Sequence, residues 1–151
     1  MADTLVKLNT HIIFHTKSAG IAMRECDLSR VFSYLGGIIR NKGGIAFIVG
    51  GMPDHIHILT TLPKTISLSD FVQAIQKDSS KWIKTLSPYY HSFAWQTGYG
   101  AFSVSPSQME NAVRYIQRQP EHHQRRSYRE ELKMFLEAYG VEYDERYAFE
   151  E

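Results

Sequence analysis

The chain has 151 residues, 43% hydrophobic and 22% charged, which suits a globular domain with its own core and a water-facing surface. No apolar run approaches the roughly 20 residues that span a bilayer, no basic-then-apolar leader is visible, and a single cysteine, Cys26, excludes an internal disulfide and points to the reducing cytoplasm. The net charge of +1 hides an asymmetry: residues 130–151 hold eight acidic and two basic side chains against 15 basic and eight acidic elsewhere, a basic body compatible with a polyanion partner, ending in an acidic tail over about 140–151.

No repeat or low-complexity linker breaks the sequence, so residues 1–151 read as one domain. Leu5–Thr16 reads as a first strand, with the apolar patch Ile12-Ile13-Phe14. Leu28, Val31, Phe32, Leu35, Ile38 and Ile39 recur at helical spacing, and Gly43-Gly44 stops that helix. Ile45–Val49 is a second strand, Gly50–Asp54 a tight turn around Pro53, and Asp54–Thr61 a third strand. Ser67 or Ser69 caps a second helix, Leu68 to about Leu86, with a buried face of Leu68, Phe71, Val72, Ile75, Ser79, Trp82, Ile83 and Leu86. Lys77, Lys81 and Lys84 form a second stripe on that helix, either a solvated face or a phosphate-binding one.

An aromatic loop follows (Tyr89, Tyr90, Phe93, Trp95), then a short strand, Tyr99–Val104. Ser105 or Ser107 caps a third helix running to about Gln119, where Pro120 is expected to loosen it. A last helix, about Tyr128 to Tyr139, ends at Gly140. Strand, helix, strand, strand, helix, strand, then helices predicts an α+β fold: a ferredoxin-like βαββαβ antiparallel sheet with its helices on one face and the third strand central.

Two patterns carry chemistry. In Met52-Pro53-Asp54-His55-Ile56-His57-Ile58-Leu59, strand alternation puts His55 and His57 on one face and Ile56 and Ile58 on the other. Two neighbouring imidazoles on one face supply two of the three ligands of a metal site. Asp54 falls on the opposite face and reads as a turn residue or as a support for His55. In the third helix, Met109, Ala112, Val113 and Ile116 make the apolar face, and Tyr115 points well away from it, with Gln119 one turn later on the same side. Spacing alone leaves two readings: a surface pair, or a phenol and a carboxamide facing one site. His122 and His123 are alternative ligands; His11, His15 and His91 read as structural or surface residues.

The histidine motif MPDHIHIL, followed by Trp95-Gln96-x-Gly98-Tyr99 and by Tyr115-x-x-x-Gln119, resembles the single-tyrosine HUH transposases of the smallest insertion sequences, the IS200-like family. The likeness runs from the first strand, HIIFHTK, to Glu142-Tyr143-Asp144-Glu145-Arg146-Tyr147. It implies that His55, His57 and Gln119 hold a divalent cation, Mg²⁺ or Mn²⁺. It further implies that Tyr115 attacks single-stranded DNA at hairpin-bearing element ends, leaving a 5′-phosphotyrosine and a free 3′-hydroxyl. Its implied partners are hairpin-bearing single-stranded DNA and a second copy of the chain, a homodimer with composite active sites; no membrane and no small-molecule cofactor are implied. Lys77, Lys81, Lys84, Arg114, Arg118, Arg125, Arg126 and Arg129 become candidates for phosphate contacts, and the aromatic loop a candidate for base stacking, with Trp95 better suited to the core.

Two rival readings stand beside this one. A His-pair hydrolase would need either a third histidine where Leu59 stands or an H-x-H-x-D-H pattern, and neither is in the sequence. A domesticated protein that binds hairpins without cutting them would have the same fold, and the complete set of His55, His57, Tyr115 and Gln119 argues against it.

Overall fold

The computed structural model describes residues 2–17, 20–123 and 125–145. Four strands form one antiparallel sheet: β1 (Asn9–His15), β2 (Ala46–Met52), β3 (His55–Thr61) and β4 (Gly100–Ser103), in the order β2-β3-β1-β4. Helix α1 (Leu28–Asn41) links β1 to β2, and α2 (Leu68–Lys84) links β3 to β4. This is the expected ferredoxin-like βαββαβ arrangement, with the histidine strand inside the sheet and paired on both sides.

Two boundaries differ from the sequence reading. β1 begins at Asn9, not Leu5, because its pairing runs out where Asn9 faces Thr61, the last residue of β3. One further backbone bond, Leu62 N to Leu8 O at 2.9 Å, closes the ladder, and Leu5, Val6 and Leu8 are exposed. Gly50 and Gly51 are not a turn. They lie in β2 opposite His57 and Ile56, and the hairpin turns in two residues, Pro53-Asp54. Glycine is required there by crowding and by backbone conformation. A Cβ on Gly50 would lie 2.7 Å from Ile116 Cγ2, and one on Gly51 (φ +148°) would lie 2.2 Å from the His55 carbonyl oxygen.

One face of the sheet carries Ile12, Phe14, Ile56 and Ile58, and on it pack Val31, Leu35 and Ile39 of α1 and Phe71, Val72, Ile75 and Ile83 of α2. These are the apolar stripes foreseen from helical periodicity. Ser67 is the residue that caps α2, its Oγ accepting from Asp70 N at 3.1 Å. Trp95 joins this core as expected, and Tyr90 and Phe93 of the aromatic connection join it too instead of being free to stack bases. The Trp95 indole N–H is satisfied by Ser79 Oγ at 2.9 Å.

The opposite face is covered as well, by the helices that follow the βαββαβ unit. It carries His11, Ile13, His55 and His57, and the chain after β4 folds back over it as α3 (Met109–Gln117), α4 (Gln119–His122) and α5 (Tyr128–Ala138). Ile13, Phe102, Leu132 and Leu136 form a second, smaller core there. The physical reason is burial: both strand histidines are fully enclosed, and an open sheet face could not enclose them. α3 starts after a 3-10 turn, Pro106–Gln108, with no side-chain cap from Ser105 or Ser107. α5 has a complete capping box, Ser127 with Glu130. No helix among the described residues is long and apolar enough to cross a membrane. The acidic tail beyond residue 145 falls outside the described residues, including Arg146 and Tyr147.

Candidate metal centre and active site

Strand alternation places His55 and His57 as expected, on one face of β3, and both are fully buried. Each ring is aimed by a bond from its Nδ1. His55 Nδ1 lies 2.7 Å from Asp54 Oδ1, so the turn residue supports the ring from beside the strand. His57 Nδ1 lies 2.8 Å from Nε2 of His11, which stands one strand over on β1. Both rings therefore turn Nε2 toward the same space, the usual way in which neighbouring groups orient metal-binding imidazoles. Burial, with a further contribution from His57, lowers the His11 pKa to about 3, so this ring is neutral.

Tyr115 and Gln119 reach that space from the covering helices. Arg118 leaves helical geometry (φ −97°, ψ 18°), so α3 ends at Gln117 and Pro120 falls in the first turn of the short α4. The break expected from Pro120 therefore occurs one residue before Gln119, and it does not release the side chain. Gln119 is fully buried, with Oε1 2.8 Å from His55 Nε2. The Tyr115 ring lies 5.9 Å from that of His57 and stacks on His122 at 4.5 Å. The four residues expected to act together thus converge within one chain.

Glu131 of α5 sits at the centre of the group; in the sequence it is one of the carboxylates of the acidic C-terminal segment. Its side chain is almost fully buried. Its oxygens accept from the Tyr115 hydroxyl and from Gln119 Nε2 at 2.8 Å, and lie 2.9 Å from His57 Nε2 and 3.2 Å from His123 Nε2. Burial alone would raise its pKa, but the donors converging on it, His57, Gln119 and Tyr115, hold the carboxyl well below the usual range. His57 shifts down because burial outweighs the attraction of Glu131, so a neutral ring faces a carboxylate. The Tyr115 phenol is pushed well above its ordinary value, first by burial and then by the Glu131 charge. A signal for Glu131 was present in the sequence: Tyr128, Leu132, Phe135 and Leu136 mark the apolar face of α5, and Glu131 falls on that stripe.

The donor set fits a divalent cation. Ligand atoms of His55, His57 and Glu131 lie within 4.8 Å of one another, and the carbonyl oxygen of Gln119 adjoins them. Two imidazoles with a carboxylate and a carboxamide combine the preferences of several first-row ions and of Mg²⁺. His123 borders this cluster, its ring 4.4 Å from that of His55.

The basic residues separate into two groups. Arg114 and Arg118 lie exposed on α3 and at its end, and Arg125 and Arg126 line a cleft with Asp54, His123, Tyr128 and Glu130 beside the histidine pair. Lys77, Lys81 and Lys84 are exposed on α2, which packs on the other face of the sheet.

The family model for IS200-like transposases matches residues 4–119, from before β1 through Gln119. Comparison with curated proteins gave no match. Among solved structures, a candidate transposase from Deinococcus radiodurans R1 is similar at 22% identity and a TM-score of 0.60, over 79% of this chain and 95% of that one. A REP-associated tyrosine transposase bound to a REP hairpin is similar at 15% identity and a TM-score of 0.58, over 82% of this chain and 74% of that one. At these identities the structures share the fold, and the family match ends short of α5 and Glu131. The sheet that presents His55 and His57, the helix that carries Tyr115 and the match over residues 4–119 lead to one conclusion: the chain belongs to the IS200-like transposase family.

Proposed function

We propose that this transposase cuts and rejoins single-stranded DNA through a covalent bond to Tyr115. The observation that carries the proposal is the meeting of the Tyr115 hydroxyl, Gln119, His55 and His57 around one carboxylate within a single chain. His55, His57 and Glu131, with Gln119 beside them, would hold the cation. A divalent ion there would polarise the scissile phosphate and offset the charge that develops on it.

The side chains of the protein account for the rest. As the Tyr115 oxygen bonds to phosphorus, the bond from phosphorus to the 3′ oxygen breaks. Over the step the phenol, oriented by its hydrogen bond to Glu131, gives up its proton, and the departing 3′ oxygen gains one as a hydroxyl, so no net proton is consumed. The bond energy is kept in the phosphotyrosine, so the hydroxyl can return and rejoin a strand without ATP. Arg125 and Arg126, in the cleft beside His55, would hold phosphates of the incoming strand; their position in that cleft supports the reading. Hairpin-bearing DNA ends are the proposed substrate; the structural neighbour bound to a REP hairpin supports that class.

The test is incubation of the protein with single-stranded DNA from the ends of its own locus, with and without Mg²⁺ or Mn²⁺. Denaturing gels should show a metal-dependent protein–DNA adduct that disappears in Tyr115→Phe. Hairpin binding with no adduct under any metal would refute cleavage and leave a DNA-binding protein.

A further inference from the structure

A second cavity borders the candidate active site and takes no part in the chemistry proposed above. Its volume is about 210 Å³, below the roughly 300 Å³ at which pockets for drug-sized ligands begin. That is room for one flat ring system. Tyr99, Tyr128 and Tyr143 line it together with Leu132, Leu136 and Gln96, the last from the segment before β4. No lysine or arginine lines it among the described residues, so it is not a phosphate subsite.

Two further observations indicate what it takes. Gln96 Oε1 is buried and has no hydrogen-bond partner, although its backbone is tied on both sides: Gln96 N donates to His15 O at 2.8 Å, and its carbonyl accepts from Gln76 Nε2 at 3.4 Å. A buried acceptor without a donor is rare in folded proteins and calls for an explanation, such as a missing ligand. The second observation is the position of Tyr128. Its ring lies 4.9 Å from that of His55 and 4.8 Å from that of His15. It lines this cavity and also the wider cleft that holds Arg125 and Arg126. One aromatic ring thus stands between a cleft in which Arg125 and Arg126 face Asp54 and Glu130 and a cavity lined by tyrosines, beside the histidine pair. A single strand has the matching form, with a charged phosphate on one side of each nucleotide and a flat base on the other.

We infer that this cavity receives one unpaired nucleobase of the DNA strand, stacked on tyrosine and bonded at its edge to the Gln96 carboxamide, and so sets which phosphate reaches Tyr115. The inference rests on the reading of the substrate as single-stranded DNA. The carboxamide offers an acceptor and a donor side by side, the pairing by which glutamine reads a base edge.

The experiment has two arms. In the first, the four deoxynucleosides are titrated into the whole protein and followed by saturation-transfer NMR. Saturation should appear on base protons and be lost in Gln96→Leu and in Tyr99→Ala. Gln96→Leu should melt no lower than the parent protein, since it removes an unpartnered acceptor, so lost binding there is not unfolding. In the second arm, end-derived oligonucleotides carry an abasic site at each unpaired position in turn, and binding is measured in the Tyr115→Phe background. One position should weaken binding about tenfold in that background and have no effect once Gln96→Leu is added. No nucleoside binding, binding unchanged by both substitutions, or no abasic position that couples to Gln96 would each overturn the inference. The adduct assay is independent of both arms: a protein that forms the adduct but fails here has lost only the base pocket. One that binds nucleosides at Gln96 but forms no adduct has lost only the cleavage reading.

Discussion

His11 shows how much one residue outside the recognised motif decides. For Nε2 of His57 to offer its lone pair to a cation, the ring proton must sit on Nδ1, and its partner must accept. That partner is His11 Nε2, at 2.8 Å, on a ring held neutral by burial. An aliphatic side chain there fills space and accepts nothing. His11→Leu is therefore expected to weaken Mn²⁺ binding by about 10- to 100-fold, read by calorimetric titration, while far-UV circular dichroism stays that of the parent. Unchanged Mn²⁺ affinity would show that His57 is aimed by its packing alone. Asp54 serves His55 in the same way from the hairpin turn, where the side chain is largely exposed. The pair is thus supported by one solvated carboxylate and one enclosed imidazole.

Between elements, the contact that positions Tyr115 is the approach of α3 to β2. Gly50 lets Ile116 come against the strand backbone, and Ile116 adjoins Tyr115 on the same helix turn. Gly50→Ala puts a Cβ 2.7 Å from Ile116 Cγ2. The expected cost is about 1–3 kcal/mol in chemical denaturation, with a larger proportional loss of adduct formation, because the helix must move away from the histidine pair. A second tie joins the start of α1 to the aromatic connection. Asp27 accepts from the Tyr90 hydroxyl at 2.6 Å, from Arg30 at 2.9 Å and from Arg24 at 3.3 Å. The Tyr90 hydrogen bond, with help from both arginines, lowers the Asp27 pKa from its ordinary value of 3.8. A depressed carboxyl stabilises the fold fully above that ordinary value and loses its contribution as pH falls through the lowered one. Melting temperatures taken between pH 6 and the acid limit should fall less steeply in Asp27→Asn than in the parent protein; parallel profiles would remove Asp27 from the acid response.

Taken whole, the molecule is a sheet between two helical layers with different tasks. α1 and α2 cover an apolar face, while α3, α4 and α5 enclose the histidines on the other. Tyr115 reaches the histidine pair of its own chain. Resemblance to the family led to the expectation of a homodimer with composite sites, in which one subunit lends its tyrosine to the other. Mixing His57→Ala with Tyr115→Phe separates the two arrangements. Assembly within one chain leaves every active site in the mixture short of one group, so no adduct should form. Recovery of up to about a quarter of the activity, as random pairing of two defective subunits would give for one repaired site of two, would establish exchange between subunits. Arg114, Arg118, Arg125 and Arg126 lie on the histidine side of the sheet and the Lys77, Lys81 and Lys84 stripe on the other layer. The arginines are therefore the first phosphate contacts to test.

By itself the sequence determined what is periodic or local. Alternation placed His55 and His57 together on a strand, helical spacing set the buried stripes of α1 and α2, and the i, i+4 relation put Tyr115 and Gln119 on one side of a helix axis. These follow from backbone geometry that each segment carries alone. Only the tertiary structure decided which elements meet. Strand register brought His11 beside His57, and the return of α5 over the sheet carried Glu131 from an acidic stretch into the middle of the site. Those contacts join residues 46 and 74 positions apart, and no local pattern encodes such pairings. They are fixed by the burial of a whole sheet face, to which every element contributes and which none determines alone.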